Sequence, residues 1–305
     1  MNRSGQASSG NLAWLALNLL LWGYNWVPLR YMVMDCPPLT CTVIRVVGGA
    51  LTLFTVLSLK GRPLGPPLDR SFIWSGLTQV AGNSALCSLA LIHGGVSKSA
   101  ILVFTMPFWV LTIASLVFHE RIALMHWISL VIALCGIALI TSQSFANWEQ
   151  ILGALCAIGA GLAWAIGATI VRHSPAQDTL RRVAWEQLVG VLPLLALAFV
   201  MGENLPVITP RFVLAALYSS LIGTGVGWIL WNRSATVLSP ATLSLGSLAI
   251  PIIASTAAFV QLGEKPDTLT LTGLATVLFA LLVANLAGMI PAPSFAALRR
   301  GRTKH

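Results

Sequence analysis

Apolar residues occur along this chain in blocks of about 20, and short runs of glycine, proline and charged residues separate the blocks. A helix of about 20 residues is long enough to cross a hydrocarbon core about 30 Å thick. Because lipid offers no water to the backbone, each block is predicted to satisfy its own amides as a helix. The pattern predicts ten transmembrane helices, at residues 11–30, 39–59, 71–92, 99–118, 122–142, 150–172, 181–201, 211–232, 240–262 and 268–290.

Composition places the chain in a membrane rather than in water. Of its 305 residues, 56% are hydrophobic and 9% are charged, whereas a soluble domain carries roughly 25% charged residues. The connections between blocks are too short to contain a soluble domain. The first block runs into Arg30 without a small-residue cleavage site, so it is interpreted as a span and not as a signal peptide. The expected fold class is an all-α membrane protein.

The positions of lysine and arginine predict how the chain is oriented. Thirteen of the eighteen lie on one side of the predicted bundle and four lie on the other, with Arg45 inside a span. Because these residues accumulate in cytoplasmic loops, both termini are expected in the cytoplasm. Residues 1–10 form the N-terminus, and the basic tail 291–305 is expected to contact anionic lipid headgroups. The net charge of +9 therefore reflects topology, and no nucleic-acid partner is predicted.

The chain contains an internal duplication at an offset of 142 to 144 residues. The matched pairs are Trp22 and Trp164, Pro107 and Pro251, and Glu120 and Glu264. The predicted halves are residues 11–142 and 150–290, with five spans each. Since five is odd, the second half enters the membrane from the opposite side, which gives an inverted-topology repeat around a central cavity. Proline removes a backbone hydrogen bond, so Pro107 and Pro251 are predicted hinges in spans four and nine.

Polar residues inside spans mark candidate binding positions, because they must face protein or water rather than lipid. Residues three or four apart share a helix face, and most of the candidates fall near the middle of the bilayer. The candidate substrate-binding residues are Asn18, Trp22, Asn25, Gln79, Asn83, Trp164, Ser244 and Ser247. Amide and hydroxyl groups beside tryptophan rings suit a zwitterion with an apolar side chain. The alternative interpretation is that the amides bond between helices and that the small residues pack.

Two charged residues occupy matched positions inside spans two and seven. Arg45 and Glu186 each lie about six residues into their helix, but the two spans begin on opposite sides of the membrane. A direct salt bridge between them is therefore not expected. Arg45 is predicted to bond a carbonyl or a headgroup near the outer end, and Glu186 is predicted near the inner end beside Arg182, four residues earlier.

The sequence contains no catalytic or metal-binding constellation. All four aspartates lie in predicted loops, the five histidines are scattered, and HExxH and GxSxG motifs are absent. The five cysteines include no CxxC pair and are interpreted as small apolar core residues, although Cys36 and Cys41 are close enough to pair near the outer surface. No enzyme activity, cofactor or metal is expected.

The order of these features resembles the drug/metabolite transporter superfamily of the EamA type. The resemblance is carried by Trp22, Pro38 with Arg45, Pro107 with His119-Glu120-Arg121, Trp164, and Pro251 with Gly263-Glu264-Lys265. It covers residues 11–290 and implies efflux of amino acids or related metabolites through a central cavity. In its overall sequence and its richness in tryptophan, the chain also resembles the bacterial aromatic amino-acid exporters, the YddG-like group.

The sequence thus favours an exporter of aromatic and other neutral amino acids in the cytoplasmic membrane of a bacterium, working by alternating access. Facilitated diffusion is expected, because Glu186 is the one carboxylate inside a predicted span. The expected partners are the amino-acid substrate and membrane lipid, and the protein is expected to be a monomer. The alternatives are an exporter of another small metabolite or drug, a phosphorylated-sugar carrier, which no mid-span lysine supports, and a membrane scaffold without transport.

Overall fold

Helices make up all the regular secondary structure in the described part of the chain. The computed structural model describes residues 9–119, 124–142, 147–175, 178–238 and 240–289. Its α-helices are α1 (Ser9–Tyr24), α2 (Trp26–Asp35), α3 (Pro38–Leu59), α4 (Ser71–Ser75), α5 (Asn83–Val103), α6 (Met106–Leu116), α7 (Leu124–Thr141), α8 (Trp148–Arg172), α9 (Thr179–Val200), α10 (Pro210–Leu217), α11 (Gly227–Val237), α12 (Pro240–Ser247), α13 (Ala249–Leu262) and α14 (Thr268–Met289). Two π-helical segments, π1 (Gly76–Gly82) and π2 (Tyr218–Val226), join α4 to α5 and α10 to α11. The all-α prediction is confirmed for these residues.

The lengths and composition of the helices make the chain a multi-pass membrane protein. Five described stretches are long and apolar enough to cross a membrane, namely Pro38–Leu59, Ser71–Val103, Trp148–Arg172, Thr179–Val200 and Pro210–Trp231. Four shorter apolar stretches are Met106–Leu116, Trp127–Thr141, Ala249–Leu262 and Thr268–Ala284. Large apolar side chains cover the exterior, and Leu192 and Phe199 are 69% and 87% exposed. Such an exterior fits lipid, because a continuous apolar surface of this kind is unfavourable in water.

Three of the predicted spans are interrupted rather than continuous. The interruptions fall at Asn25, at Phe104 and Thr105, and at Leu248. Pro28, Pro107 and Pro251 follow these breaks within three residues. Proline lacks an amide hydrogen and its ring collides with the preceding turn, which accounts for a break just before each ring. Pro107 and Pro251 therefore lie at discontinuities, and their action as hinges stays a prediction.

Helix α5 is divided at Gly95, within the boundary predicted between spans three and four. Gly95 has a φ of 72° and a ψ of −179°. The backbone amides of Val96 and Ser97 donate to the Glu264 carboxylate at 2.9 and 3.1 Å, so this carboxylate caps the half-helix that follows. A Cβ at position 95 would lie 3.1 Å from Oε1 of Glu264. Glycine is required there both by its left-handed φ and by the closeness of the carboxylate.

The two π-helical segments occupy matched positions in the internal repeat. Their first residues are 142 apart and their last residues are 144 apart. A π turn leaves a carbonyl displaced from its usual partner, and in π2 the Thr224 hydroxyl donates to the Ser219 carbonyl at 2.9 Å. Hydrophobic periodicity does not distinguish such a turn from an α turn, so the sequence did not predict either segment. Segments of this kind occur frequently at functional sites.

Helices of the first half pack in pairs against helices of the second half. α3 packs on α9, α5 on α8, α7 on α14, and α1 on α11. The segment π1 also packs on α8 and α9, and glycines permit the close approach: a Cβ on Gly167 would lie 2.5 Å from the Cβ of Gln79, and one on Gly190 would lie 2.6 Å from Val80. Small residues at helix interfaces are the usual means of tight packing in lipid. The two halves therefore meet in the middle of the bundle.

Candidate functional site

A cavity of about 780 Å³, counting the space at its mouth, lies where the two halves meet. Its lining combines residues of α1, α2, α3, π1 and α5 from the first half with residues of α8, α9, π2, α11 and α13 from the second. The structure brings five of the eight predicted binding residues into this lining: Trp22, Asn25, Gln79, Asn83 and Trp164.

Aromatic rings form one wall of the cavity. The Trp22 ring contacts Trp164 edge-on at 6.4 Å between centroids and Trp228 edge-on at 5.6 Å, and it stacks on Trp231 at 5.3 Å. Phe104 contacts Trp164 at 6.2 Å. Trp22 and Trp164, which the internal repeat pairs in sequence, therefore meet in space at the junction of the halves.

Two glycines in the π2–α11 stretch determine where Trp22 lies. Its Nε1 donates a hydrogen bond to the Gly223 carbonyl at 2.9 Å. A Cβ on Gly227 would lie 2.1 Å from the same Nε1, far inside an ordinary contact. Because only glycine leaves this room, the indole lies directly on the helix backbone, with its polar edge satisfied.

Amide side chains form another part of the lining. Nδ2 of Asn83 donates to the Ala160 carbonyl at 3.0 Å, so this amide joins α5 to α8 while it faces the cavity. Oδ1 of Asn25 and Oε1 of Gln187 are enclosed and have no hydrogen-bond partner within the described residues. Enclosed acceptors of this kind are costly unless water or a ligand bonds them. Both residues belong to the cavity lining.

Arg45 lies in the lining of the cavity, and the prediction that it bonds a carbonyl or headgroup near the end of span two is wrong. Its Nη1 donates to Oγ1 of Thr224 at 3.2 Å, and its Nε is enclosed with no partner among the described residues. The close packing of α3 on π2 explains the difference, since a Cβ on Gly49 would lie 2.3 Å from Cγ2 of Thr224. Depth along a span does not reveal which neighbouring helix a long side chain meets.

Three predicted binding residues are not placed in the lining. Asn18 is fully buried, and neither its Oδ1 nor its Nδ2 has a described partner, but it does not line the cavity. Ser247 is buried and also does not line it. The side chain of Ser244 lies outside the described part of the structure. Helix α1 packs on α11 and α13, which encloses the face that carries Asn18.

Four polar lining residues were missed as binding candidates: Arg45, Ser84, Gln187 and Thr224. The sequence did carry a signal for Gln187, because an uncharged polar residue inside a span must face protein or water. The prediction for this part of span seven considered the charged neighbour Glu186 and not Gln187. Thr224 carried no such signal, since a threonine hydroxyl can bond a carbonyl of its own helix.

Glu186 pairs with Arg182, as predicted. Nε of Arg182 lies 2.8 Å from Oε1 of Glu186, and both side chains are buried. Oγ of Ser75 donates to Glu186 at 2.5 Å, and Nη2 of Arg182 donates to Ser71 at 2.9 Å. This network joins α9 to α4 and lies outside the cavity lining. The Glu186 carboxylate is therefore occupied by structural partners.

One end of the bundle carries Asp35, Glu203 and Glu264 and is here called the acidic end. At this end, polar contacts join the first half of the chain to the second. Asp35 forms a salt bridge with Arg211 and accepts from Thr209 Oγ1 at 2.7 Å. Hydrogen bonds from Arg211 and Thr209 hold the pKa of Asp35 below its ordinary value of 3.8. Glu203 accepts from the backbone amide of Thr40 at 2.7 Å. The Glu264 cap is the third such contact.

The opposite end, here called the basic end, carries Arg62 and Arg181. Nη1 of Arg62 lies 3.0 Å from Asp178 Oδ1. Nε of Arg181 donates to the Gly65 carbonyl at 2.6 Å. These contacts also join one half to the other, so both ends are tied in this conformation.

A helical bundle with a cavity between two repeated halves is typical of membrane transporters. No group of three or more His, Cys, Asp or Glu side chains in the described part of the chain is placed to hold a metal ion. The chain belongs to the EamA-like transporter family, whose sequence profile matches residues 10–142 and 151–286. The protein is therefore a transporter and not an enzyme, and the recognition of the EamA type is confirmed.

Relatives of the chain cover most of its length at low identity. A protein of Salmonella typhimurium named probable amino-acid metabolite efflux pump is 25% identical over 89% of this chain and 93% of its own. An uncharacterized transporter of Bacillus subtilis is 26% identical over 81% of this chain and 86% of its own. A solved crystal structure matches with a TM-score of 0.68 and 15% identity over 94% of this chain and 100% of that chain, which shows the fold alone.

Proposed function

We propose that the protein exports neutral amino acids, including aromatic ones, across the cytoplasmic membrane of a bacterium. The observation that most supports this is the lining of the central cavity, where indole rings, amide groups and one guanidinium lie together. The rings suit an apolar side chain, and the polar groups suit the charged main-chain atoms. The name of the Salmonella relative supports the same substrate class.

The proposed topology is ten spans in two inverted halves, residues 11–142 and 150–290, with both termini and the basic end in the cytoplasm. The matched π segments and the matched breaks before Pro107 and Pro251 support the repeat. In alternating access, the polar contacts between the halves then break at either the acidic end or the basic end, while those at the other end stay formed. The tail 291–305, which lies outside the described residues, is proposed to contact lipid, and the working unit is proposed to be a monomer.

Transport is proposed to be facilitated diffusion. Proton-driven transporters usually hold a carboxylate or a histidine inside the membrane that loads and releases the proton. The described cavity lining contains no aspartate, glutamate or histidine. Glu186, the one carboxylate inside a predicted span, is engaged by Arg182 and Ser75 outside the lining. Flux should therefore follow the amino-acid gradient.

The alternative of a phosphorylated-sugar carrier is less well supported. A phosphate monoester carries about two negative charges at neutral pH, and the described lining offers the single cation of Arg45. A scaffold without transport does not account for the polar groups that line the cavity between the halves, such as Arg45 and Gln187, since polar groups inside a membrane protein are costly unless they are used.

The test is counterflow in liposomes that contain only this protein. Vesicles are loaded with unlabelled phenylalanine, and uptake of labelled phenylalanine is followed with no pH or ion gradient. Transient accumulation above that of protein-free vesicles is expected, and unlabelled tryptophan and leucine outside should compete. Accumulation that is absent with each of the twenty amino acids but present with glucose 6-phosphate would replace the proposal by its alternative.

A further inference from the structure

Three polar atoms in the cavity lining are enclosed without a described partner. Nε of Arg45 is a charged donor without an acceptor, and Oδ1 of Asn25 and Oε1 of Gln187 are acceptors without donors. Buried groups of this kind lose their bonds to bulk water and gain none from protein, so their placement is costly unless a ligand or bound water compensates. A ligand that satisfies these three atoms must offer an acceptor to Arg45 and donors to Asn25 and Gln187.

The guanidinium and the Asn25 amide approach neighbouring residues of π2. Arg45 donates from Nη1 to Thr224 Oγ1 at 3.2 Å, which leaves its Nε free. A Cβ on Gly223, the residue just before, would lie 2.4 Å from Oδ1 of Asn25. The Arg45 guanidinium and the Asn25 amide oxygen therefore lie against two adjacent residues of π2, Thr224 and Gly223.

Charge within the lining points to the same ligand. The described lining residues comprise one cation, Arg45, and no carboxylate. A guanidinium in a site of low dielectric is stabilised most by a carboxylate, which accepts its charge-assisted hydrogen bonds. An ammonium donates three hydrogen bonds, and the amide oxygens of Asn25 and Gln187 are acceptors without a described donor.

We propose that Arg45 binds the carboxylate of the substrate, while the amide oxygens of Asn25 and Gln187 bind its ammonium group. This assignment rests on the proposed function and deepens it. The protein then recognises the carboxylate and the ammonium group that all α-amino acids share. The side chain then lies against Trp22, Trp164 and Phe104, so selectivity among amino acids is broad and apolar, whereas selectivity for the zwitterion is strict.

The experiment measures binding to the purified protein with three matched probes. Phenylalanine carries both charged groups, phenethylamine lacks the carboxylate, and 3-phenylpropionate lacks the ammonium. Ligand-induced thermal stabilisation across a concentration series gives a dissociation constant for each probe. Loss of one charge-assisted contact weakens binding about 10- to 100-fold, so the wild type should bind phenylalanine that much more tightly than either truncated probe.

The variant Arg45→Gln removes the cation and keeps a polar side chain. Its preference for phenylalanine over phenethylamine should fall about 10-fold or more, while its preference over 3-phenylpropionate should change little. Gln187→Leu should show the reverse pattern. Arg30→Gln is the matched control, because Arg30 bonds the Leu91 carbonyl and does not line the cavity, so both preferences should be kept.

A purely structural role for Arg45 would weaken all three probes equally and overturn the inference. Equal binding of phenylalanine and phenethylamine by the wild type would also overturn it, and this comparison needs no variant to fold. The proposed function fails separately: selective binding of phenylalanine without counterflow in liposomes would leave the site assignment intact and refute export.

Discussion

The substitution Gly227→Ala tests the packing that positions Trp22 in the cavity. The added Cβ would lie 2.1 Å from Nε1 of Trp22, whereas ordinary contact begins at 3.4 Å, so the indole must move by more than 1 Å. Such overpacking costs about 1–3 kcal/mol. The movement also breaks the hydrogen bond from Trp22 to the Gly223 carbonyl, which contributes about 1 kcal/mol.

One term opposes these costs, because alanine is better than glycine inside a helix by about 0.5–1 kcal/mol. The net expectation for Gly227→Ala is therefore a destabilisation of about 1–3 kcal/mol together with a displaced Trp22. Gly159→Ala is the matched control, since its Cβ would meet only Cδ1 of Leu86, the far end of a flexible side chain, at 3.3 Å. That control should be neutral or slightly stabilising.

The assay is the apparent melting temperature of the purified protein, followed by phenylalanine counterflow in liposomes. Gly227→Ala should melt several degrees below the wild type and transport more slowly, while Gly159→Ala should match or exceed the wild type in stability. Adding Trp22→Phe to Gly227→Ala should restore part of the melting temperature, because the smaller ring withdraws from the new Cβ. A Gly227→Ala protein as stable and as active as Gly159→Ala would refute the proposed contact.

Three further outcomes are expected. Trp164→Ala should lower counterflow at least about 10-fold with a small change in melting temperature, while Trp74→Ala, whose ring is 65% exposed outside the lining, should transport normally in the same vesicles. An imposed pH gradient should drive no uphill accumulation, and gradient-driven uptake that Glu186→Gln abolishes would show that this carboxylate couples protons. Arg211 holds the pKa of Asp35 below 3.8, so the stability that Asp35 contributes is present above that pH and is lost as pH falls through the lowered pKa. Asp35→Asn should therefore lower the melting temperature at pH 7, and the difference from the wild type should shrink only in strong acid.

The sequence predicted best those features that depend on one helix or on composition. The charge deficit and apolar blocks predicted a helical multi-pass protein, because every segment in lipid must satisfy its own backbone. Glu186 and Arg182 were predicted to meet because residues four apart on a helix share a face. The pairing of Trp22 with Trp164 was visible only through the internal repeat, and the structure places the two rings 6.4 Å apart.

The sequence predicted less of what depends on how helices cross. A uniform period of 3.6 residues put Asn18 on the face of Trp22 and Asn25, yet α1 ends before Asn25 and Asn18 is enclosed by packing. Arg45 was assigned to the outer end, yet it extends to Thr224, a residue 179 positions away. Contacts at such separation depend on π segments and on glycines that bring backbones together. Neither feature produces a periodic pattern of hydrophobic residues that could be recognised in the sequence.

For this protein, then, the sequence alone determined that the chain lies in a membrane, that it is helical, that it contains a repeat and that it belongs to a transporter family. Each of these is a property of single segments or of their order. The tertiary structure decided which polar groups share one enclosed space and which of them lack partners. That outcome is set by helix crossings at Gly49, Gly223 and Gly227, where the absence of a side chain lets Thr224, Asn25 and Trp22 approach. The chemistry of the cavity follows from those approaches.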